Sequence, residues 1–341
     1  MPPGRSFVIK YLGSKRTLLP LITEVIASLT PAGTVLDLFS GTSRVGHALK
    51  SHGYRVVAND HNAYAHTLAT CYVQADAEDV LADAALLVEE FNNLPGRAGY
   101  FTDTFCQRSR FFQPRNGERI DAIRESIALK SLPPELEAVM LVSLMEAADR
   151  VDSTTGLQMA YLKSWAPRSL SDLELRVPRV LPRAASGKGA AMKLDALTAA
   201  ATPADIAYID PPYNQHSYLG NYHIWESLVR WDKPAVYGTA CKRTDVRERR
   251  SAFNSRPGFV SAFERLIANV VAPVLVVSFS NEGYLTREQA ESILSTRGQV
   301  QTIERDYKRY VGAQIGIHNP AGEKVGTISH LRNTEFLFVV T

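Results

Sequence analysis

The 341-residue sequence predicts a doubly wound α/β fold with a mostly parallel sheet, a terminal antiparallel pair and a helical insertion. Three observations carry that prediction. A βαβ pattern opens at "TVLDLF", residues 34–39, where β-branched and apolar residues suit a buried parallel strand. Short apolar runs of the same kind recur at "DIAYID", 205–210, and "PVLVVSFS", 273–280. Between the first run and these two, residues 76–150 place apolar side chains at helical rather than alternating spacing.

The elements follow in chain order. After the first strand comes a turn, "SGTSRVG", and then "VGHALKSHG", 45–53, a helix closed by Gly53. "YRVVAND" is the next strand and ends on Asp60, which completes one βαβ unit. "DVLADAALLVEEF" and "ELEAVMLVSLMEAADRV" are helices. Residues 163–189, rich in Pro, Arg, Ser and Gly, read as loop. "AAMKLDAL", 190–197, is a third strand, "DIAYID" a fourth and "PVLVVSFS" a fifth, the last preceded by a helix near 259–271. "VQTIERDYKRY" and "EFLFVV" alternate and form the final antiparallel pair. Residues 1–75 and 190–341 are therefore expected to form one discontinuous domain, interrupted by a helical insertion at 76–189.

Composition narrows the class. The chain is 45% hydrophobic and 21% charged, enough to bury a core. Its net charge of +3 does not by itself demand a nucleic-acid partner, although local basic clusters can still supply one. Cys71, Cys106 and Cys241 are few and far apart, so neither a disulfide framework nor a zinc site is expected, and no His/Cys/Asp cluster has metal-ligand spacing. The N-terminus lacks a secretory apolar core, and the longest apolar run, "VVAPVLVVSF", is too short to span a bilayer. A cytoplasmic protein without membrane contact is expected.

Two turns carry chemistry. "DLFSGTSRVG" lies between a strand and a helix, where doubly wound folds bind adenosine-type cofactors. Gly41 lets the backbone approach a ligand, and Asp60, about twenty residues on, can take ribose hydroxyls. Ser43 stands where the dinucleotide fingerprint has its second glycine. That favours a smaller cofactor without a pyrophosphate, and Asp37 could pair with a cationic amino-acid moiety. The plainer alternative is an ordinary polar turn. The second turn is "DPPY", 210–213. Two prolines remove two donors and stiffen the chain, Asp210 adds a carboxylate, and Tyr213 adds an aromatic face. Such a site, rich in acceptors and poor in donors, suits the exocyclic amine of a nucleobase.

In this order, the motifs resemble those of the Dam-like (alpha-group, DPPY) adenine-N6 DNA methyltransferases. "YLGSKRTLLPLI" at 11–22 is similar to the family's N-terminal cofactor motif, which would make Tyr11 and Lys15 cofactor residues. "DLFSGTSRVG" is similar to its FxGxG-type motif, which adds Phe39 to Asp37 and Gly41, with Ser43 as a departure. "KLDAL" is similar to the next motif, whose acidic residue, Asp195, would reach the cofactor adenine. "DPPY" is similar to the catalytic motif, with Asp210, Pro211, Pro212 and Tyr213 catalytic and Asp210 also beside the cofactor. The leading Asp favours adenine. The resemblance covers most of 7–75 and 190–340 and is weaker over the insertion, where "RSRFFQPRNGERID" at 108–121 also resembles the family. It implies a Rossmann-like methyltransferase fold with S-adenosylmethionine as methyl donor and no metal. It also implies an adenine flipped out of double-stranded DNA, either in a setting of restriction-modification or phage defence that would admit a cognate partner protein or as an orphan enzyme.

Three basic clusters are candidates for phosphate contact. One holds Lys242, Arg243, Arg247, Arg249, Arg250 and Arg256, a second Arg108, Arg110, Arg115, Arg119 and Arg124, and a third Lys308 and Arg309. The helical insertion is the candidate target-recognition region, together with the 210–256 segment. For any single cluster the plainer reading is a solvated face. For the stripe of Tyr222 and Trp225 it is core, and His216 and His223 are given no role. Two other functions stay open at this point: an RNA methyltransferase on the same scaffold, and a nucleic-acid-binding module with a non-catalytic cofactor site. A nicotinamide oxidoreductase is disfavoured by Ser43, Asp37 and the DPPY turn.

Overall fold

A computed structural model describes residues 9–13, 15–213, 215, 217–249, 251–308, 317–318, 324–326 and 332–341. They fall into two compact units, Met1–Ala199 with His216–Arg250, and Ala200–Gln215 with Ser251–Thr341.

The first unit starts with α1 (Leu19–Leu29) and the expected β1 (Thr34–Asp37), α2 (Arg44–Ser51) and β2 (Arg55–Asn59). β1 and β2 are parallel, with Leu36 opposite Val57, and both are buried along most of their length. α3 (Ala63–Ala69) follows and widens into a π turn at Thr70–Gln74. The helical stretch comprises α4 (Ala77–Asn92), α5 (Tyr100–Thr102), α6 (Pro114–Lys130) and α7 (Pro134–Arg150). Pro at the first position of α6 and α7 costs no hydrogen bond, because those N–H groups have no helical partner. β3 (Ala190–Met192) pairs in parallel with β2, and α8 (Ala196–Ala199) follows.

β3 is shorter than the strand expected at 190–197, for a local reason. The Asn59 amide brackets Leu194, accepting its N–H at 3.0 Å and donating to its carbonyl at 3.2 Å. With both backbone groups met by a side chain, the chain leaves the ladder. The unit ends with α9 (Tyr218–Asn221), α10 (His223–Arg230) and a small hairpin, Val236–Tyr237 with Lys242–Arg243, which the sequence reading did not include.

The helical stretch does not enclose a core of its own. α4 turns Val80, Ala84, Leu87 and Phe91 inward along one stripe, and α7 is buried almost all round. Their side chains join one apolar cluster with Tyr64 and Leu68 of α3 and Ile224, Trp225 and Leu228 of α10. Trp225 is thus a core residue, as the plainer reading had it. All three cysteines are free and buried.

In the second unit, β4 (Ile206–Ile209) is fully buried and parallel to β5 (Val274–Ser280). β7 (Arg332–Val340) lies antiparallel between β5 and β6 (Val300–Lys308), with Phe338 opposite Val277 and Leu337 opposite Ile303. The expected terminal antiparallel pair is β6 with β7. α11 (Arg256–Asn269) and α12 (Arg287–Leu294) complete the unit, with a short ladder of Ile317–His318 and Lys324–Gly326. The mixed α/β class, parallel first and antiparallel at the end, is the one the sequence predicts. No helix among the described residues is long and apolar enough to cross a membrane.

Candidate active site

In the first unit, the turn after β1 is fixed by its own backbone. Ser40 N–H donates to the Asn59 carbonyl at 2.9 Å, and Ser43 N–H to the Ser40 carbonyl at 2.6 Å. Gly41 has φ +50° and Ser43 has φ +57°, both left-handed. Glycine adopts that region without strain, whereas serine in it is strained. The Asp60 carboxylate closes the turn by accepting from Gly41 N–H at 3.2 Å, and its other oxygen accepts from the Asn62 N–H and amide. Asp60 N–H donates to the Met192 carbonyl, which brings the ends of β2 and β3 together. Asp37, at the end of β1, is 1% exposed. Gly46 is packed so tightly that a Cβ there would lie 2.8 Å from Val73 and 3.4 Å from Val56. This is the helix-to-strand closeness that the third glycine of the fingerprint provides.

Tyrosines cover the turn. A Cβ on Gly41 would lie 3.3 Å from the Tyr11 hydroxyl, which itself lies 3.2 Å from the Tyr64 hydroxyl. The Tyr11 ring stacks with both Tyr218 and Tyr222, at 5.2 and 4.6 Å between centroids, and those two rings lie 6.5 Å from each other. The Tyr222 hydroxyl accepts the Leu12 N–H at 2.6 Å. Burial, and then the neighbouring tyrosines and Asp60, push the Tyr11 phenol well above its usual range, so it stays a neutral hydroxyl. Sequence reasoning named Tyr11, set Tyr222 down as core, and missed Tyr64 and Tyr218.

The structure therefore gathers Tyr11, Asp37, Gly41 and Asp60 at one edge of β1 and β2. Phe39 is half-buried within the turn, and Lys15 is buried on a short 3₁₀ turn, Lys15–Thr17. Asp195 is exposed, and its carboxylate accepts the Leu197 N–H at 2.9 Å, capping α8. The buried hydroxyls of Ser40 and Ser43 have no hydrogen-bond partner among the described residues. Unfilled hydroxyls, a glycine that brings bare backbone to the surface of the turn, and two carboxylates fit a ligand with amino and hydroxyl groups.

In the second unit, Asp210 follows β4 directly and is half-buried, Pro211 is buried, and Pro212 and Tyr213 are half-buried. Tyr213 is held at two points. Its carbonyl accepts the Tyr284 N–H at 3.1 Å, and its ring lies 5.2 Å from Phe279 of β5. Phe279 in turn packs on Phe259 and Phe263 of α11. The ring is therefore backed by an aromatic cluster.

The basic residues divide. Arg243 is 1% exposed, and all five of its N–H groups are used, on Asp232, Asp245 and Ser227. Burial lowers its pKa, but the hydrogen bonds it donates to both carboxylates reverse this and raise it. The expectation that Arg243 meets DNA phosphate is corrected: a buried arginine saturated by two carboxylates is a structural ion pair. Arg249 is likewise committed, to Glu226 at 2.8 Å. Arg247 lies 3.9 Å over the Tyr237 ring, and Lys242 Nζ is 3.0 Å from Met159 Sδ. Arg108 and Arg115 are exposed, the latter donating to the Leu170 carbonyl, and Arg110 stacks on Trp165 at 4.8 Å. Arg250 and Arg309 lie outside the described residues. Lys308 ends β6, and its side chain is not among those described. His223 is buried, with burial pushing its imidazole down to about 3. Among the described residues no group of three or more His, Cys, Asp or Glu could hold a metal ion.

The family model of the D12 class N6 adenine-specific DNA methyltransferases matches residues 11–267. The chain is 29% identical over 317 residues to the type II methyltransferase M.NlaIII of Neisseria lactamica, covering 89% of this chain and 92% of that protein. It is 31% identical over 324 residues to the type II methyltransferase M.FokI of Planomicrobium okeanokoites, covering 89% of this chain and 50% of that protein. M.CviAII of Paramecium bursaria Chlorella virus 1, also a type II methyltransferase, is 26% identical, with 92% of this chain and 96% of that protein covered.

Proposed function

Because the chain belongs to the D12 class N6 adenine-specific DNA methyltransferases, we propose that its methyl donor is S-adenosylmethionine and its substrate an adenine turned out of double-stranded DNA. The observation that carries the catalytic part is the anchored Asp210–Tyr213 turn at the end of a buried strand. When bound, the donor would supply an electrophilic methyl on sulfonium, for which no metal is needed.

The chain's residues would then do the following. Asp60 and the Gly41 backbone hold the ribose side of the donor, Asp37 its amino group, and the hydroxyls of Ser40 and Ser43 take the remaining polar atoms. Tyr11 covers it, Lys15 and Phe39 border it, and Asp195 reaches the adenine end. The amino group of the target base is a weak nucleophile, because its lone pair is delocalised into the ring. Asp210 and the Pro211 carbonyl accept hydrogen bonds from its two N–H groups and so make the lone pair more available, and Pro212 keeps the turn stiff. Tyr213, backed by Phe279, stacks on the base. The remaining catalysis is orientation. Residues 76–189 are the candidate target-recognition region, with Arg108, Arg110, Arg115, Lys242 and Arg247 toward phosphate. A type II restriction-modification or phage-defence setting is supported by the relatives' names, and a cognate nuclease would be a separate partner.

The test is methyl transfer from labelled S-adenosylmethionine to unmethylated DNA, read by nucleoside mass spectrometry. N6-methyladenine is expected, and Asp210→Ala should abolish it while leaving donor binding intact. Normal turnover in that variant would remove Asp210 from the mechanism.

A further inference from the structure

Glu226 of α10 is fully buried. A buried carboxylate must be compensated. Its Oε2 accepts the Tyr64 N–H at 3.1 Å, and its Oε1 accepts from Arg249 Nη1 at 2.8 Å. The next cation, Arg230, is 4.0 Å away. Arg249 also donates from Nη2 to the His61 carbonyl at 3.4 Å and lies 3.7 Å from Asp245. These contacts hold residues 61 and 64, on the segment that leaves Asp60. Asn62, between them, donates twice to the Asp60 carboxylate. One turn earlier, Tyr222 supports Tyr11 and Leu12.

We propose that Arg249 is a positioning residue for methyl-donor binding. It compensates Glu226, Glu226 and the His61 contact fix the start of α3, and that start holds Asp60 against Gly41. The proposal rests on reading the Asp60 turn as the donor site. It gives Arg249 a task other than phosphate contact.

The test measures S-adenosylmethionine affinity by calorimetry in the full chain. Arg249→Gln should weaken donor binding about tenfold or more, because it strands a buried charge. The donor KM should rise in step, while kcat at saturating donor and affinity for DNA change by less than about threefold. The double variant E226Q/R249Q, which has no buried charge to strand, should recover most of the loss, and Arg249→Lys part of it. Wild-type donor affinity in R249Q would overturn the proposal, as would a double variant as weak as R249Q. So would a loss confined to DNA affinity, which would make Arg249 a phosphate contact. If R249Q does not fold, the double variant decides: donor binding restored supports the proposal, and a folded double variant that binds no donor overturns it. Absence of donor binding by the wild type would instead overturn the donor-site reading beneath it.

Discussion

Lys50 and Asp76 meet at 2.8 Å with both side chains buried, where the chain passes from the βαβ unit into the helical stretch. Lys50 also donates to the Ala75 carbonyl at 2.6 Å, and the other Asp76 oxygen accepts from Arg183 at 2.6 Å. Burial works against the charged form of Asp76, and the hydrogen bonds from Lys50 and Arg183 overcome it, holding its pKa below the usual value. Through its bond with Arg183, Asp76 ties the entry of the stretch to its exit.

Lys50→Met should therefore be costly. It leaves a buried carboxylate with one partly exposed partner, and removal of one member of a buried pair typically costs about 3–5 kcal/mol. Urea denaturation reads this directly. A loss below about 1 kcal/mol would mean that Arg183 alone suffices.

Glu146 predicts a pH dependence. Its carboxyl is pushed up to about 7, chiefly by burial, although the Tyr72 hydroxyl donates to it. The folded pKa lies above the unfolded value, so the native state binds more protons between about 4.5 and 7 and stability falls as pH rises through that window. Asp149, pushed up to about 6, acts with the same sign. Glu146→Gln should make the decline shallower and be the more stable protein at pH 8, by up to about 3 kcal/mol. An unchanged slope in thermal unfolding across that range would contradict it.

The glycine turn makes opposite predictions at two neighbouring positions. Gly46→Ala pushes a methyl to 2.8 Å from Val73 and should cost about 1–3 kcal/mol by overpacking. Ser43→Gly removes a side chain from a left-handed residue and should be neutral or stabilising by up to about 1 kcal/mol, while donor binding weakens with the loss of its hydroxyl. Calorimetric melting with and without donor separates the two. Strong destabilisation by Ser43→Gly would show that the buried hydroxyl matters more than the strain.

The arginines should separate in salt titrations of DNA binding. Changing Arg110 or Arg115 to Ala should lower the slope of log affinity against log salt by about 1 each, with the fold intact. Arg243→Ala should instead destabilise its surroundings, because Asp232 and Asp245 lose the buried one of the two cations they share and keep, as a shared partner, only the more exposed Arg230. A well-folded Arg243→Ala protein with a reduced salt slope would restore the phosphate role to that residue.

The βαβ unit and the two turns were legible because each is written in contiguous residues. An apolar run, a glycine and an acidic residue at a strand end need no distant partner to be recognised. The tyrosine cover was not legible, because Tyr11 meets residues more than two hundred positions away. Arg243 and Arg249 misled for a related reason. A basic run has the same composition whether it faces phosphate or folds back on carboxylates, and the Asp232 and Glu226 that settle the matter lie in an adjoining loop and helix. The early end of β3 depended on one asparagine amide a strand away.

The shared apolar cluster of α4, α6, α7, α3 and α10 bears on how such enzymes could acquire new target sites. A helical insertion with its own core could be exchanged as a cassette, but this one has no separable interior. Arg124 of α6 even donates to the Leu228 and Val229 carbonyls of α10, well outside the stretch. Grafting 76–189 from a relative would leave Trp225 and Leu228 facing foreign side chains, and such chimaeras should be insoluble unless 217–243 travels with the graft. Altered specificity on this scaffold is expected to arise by substitution on the exposed faces of the helices and their loops, with the interior held constant.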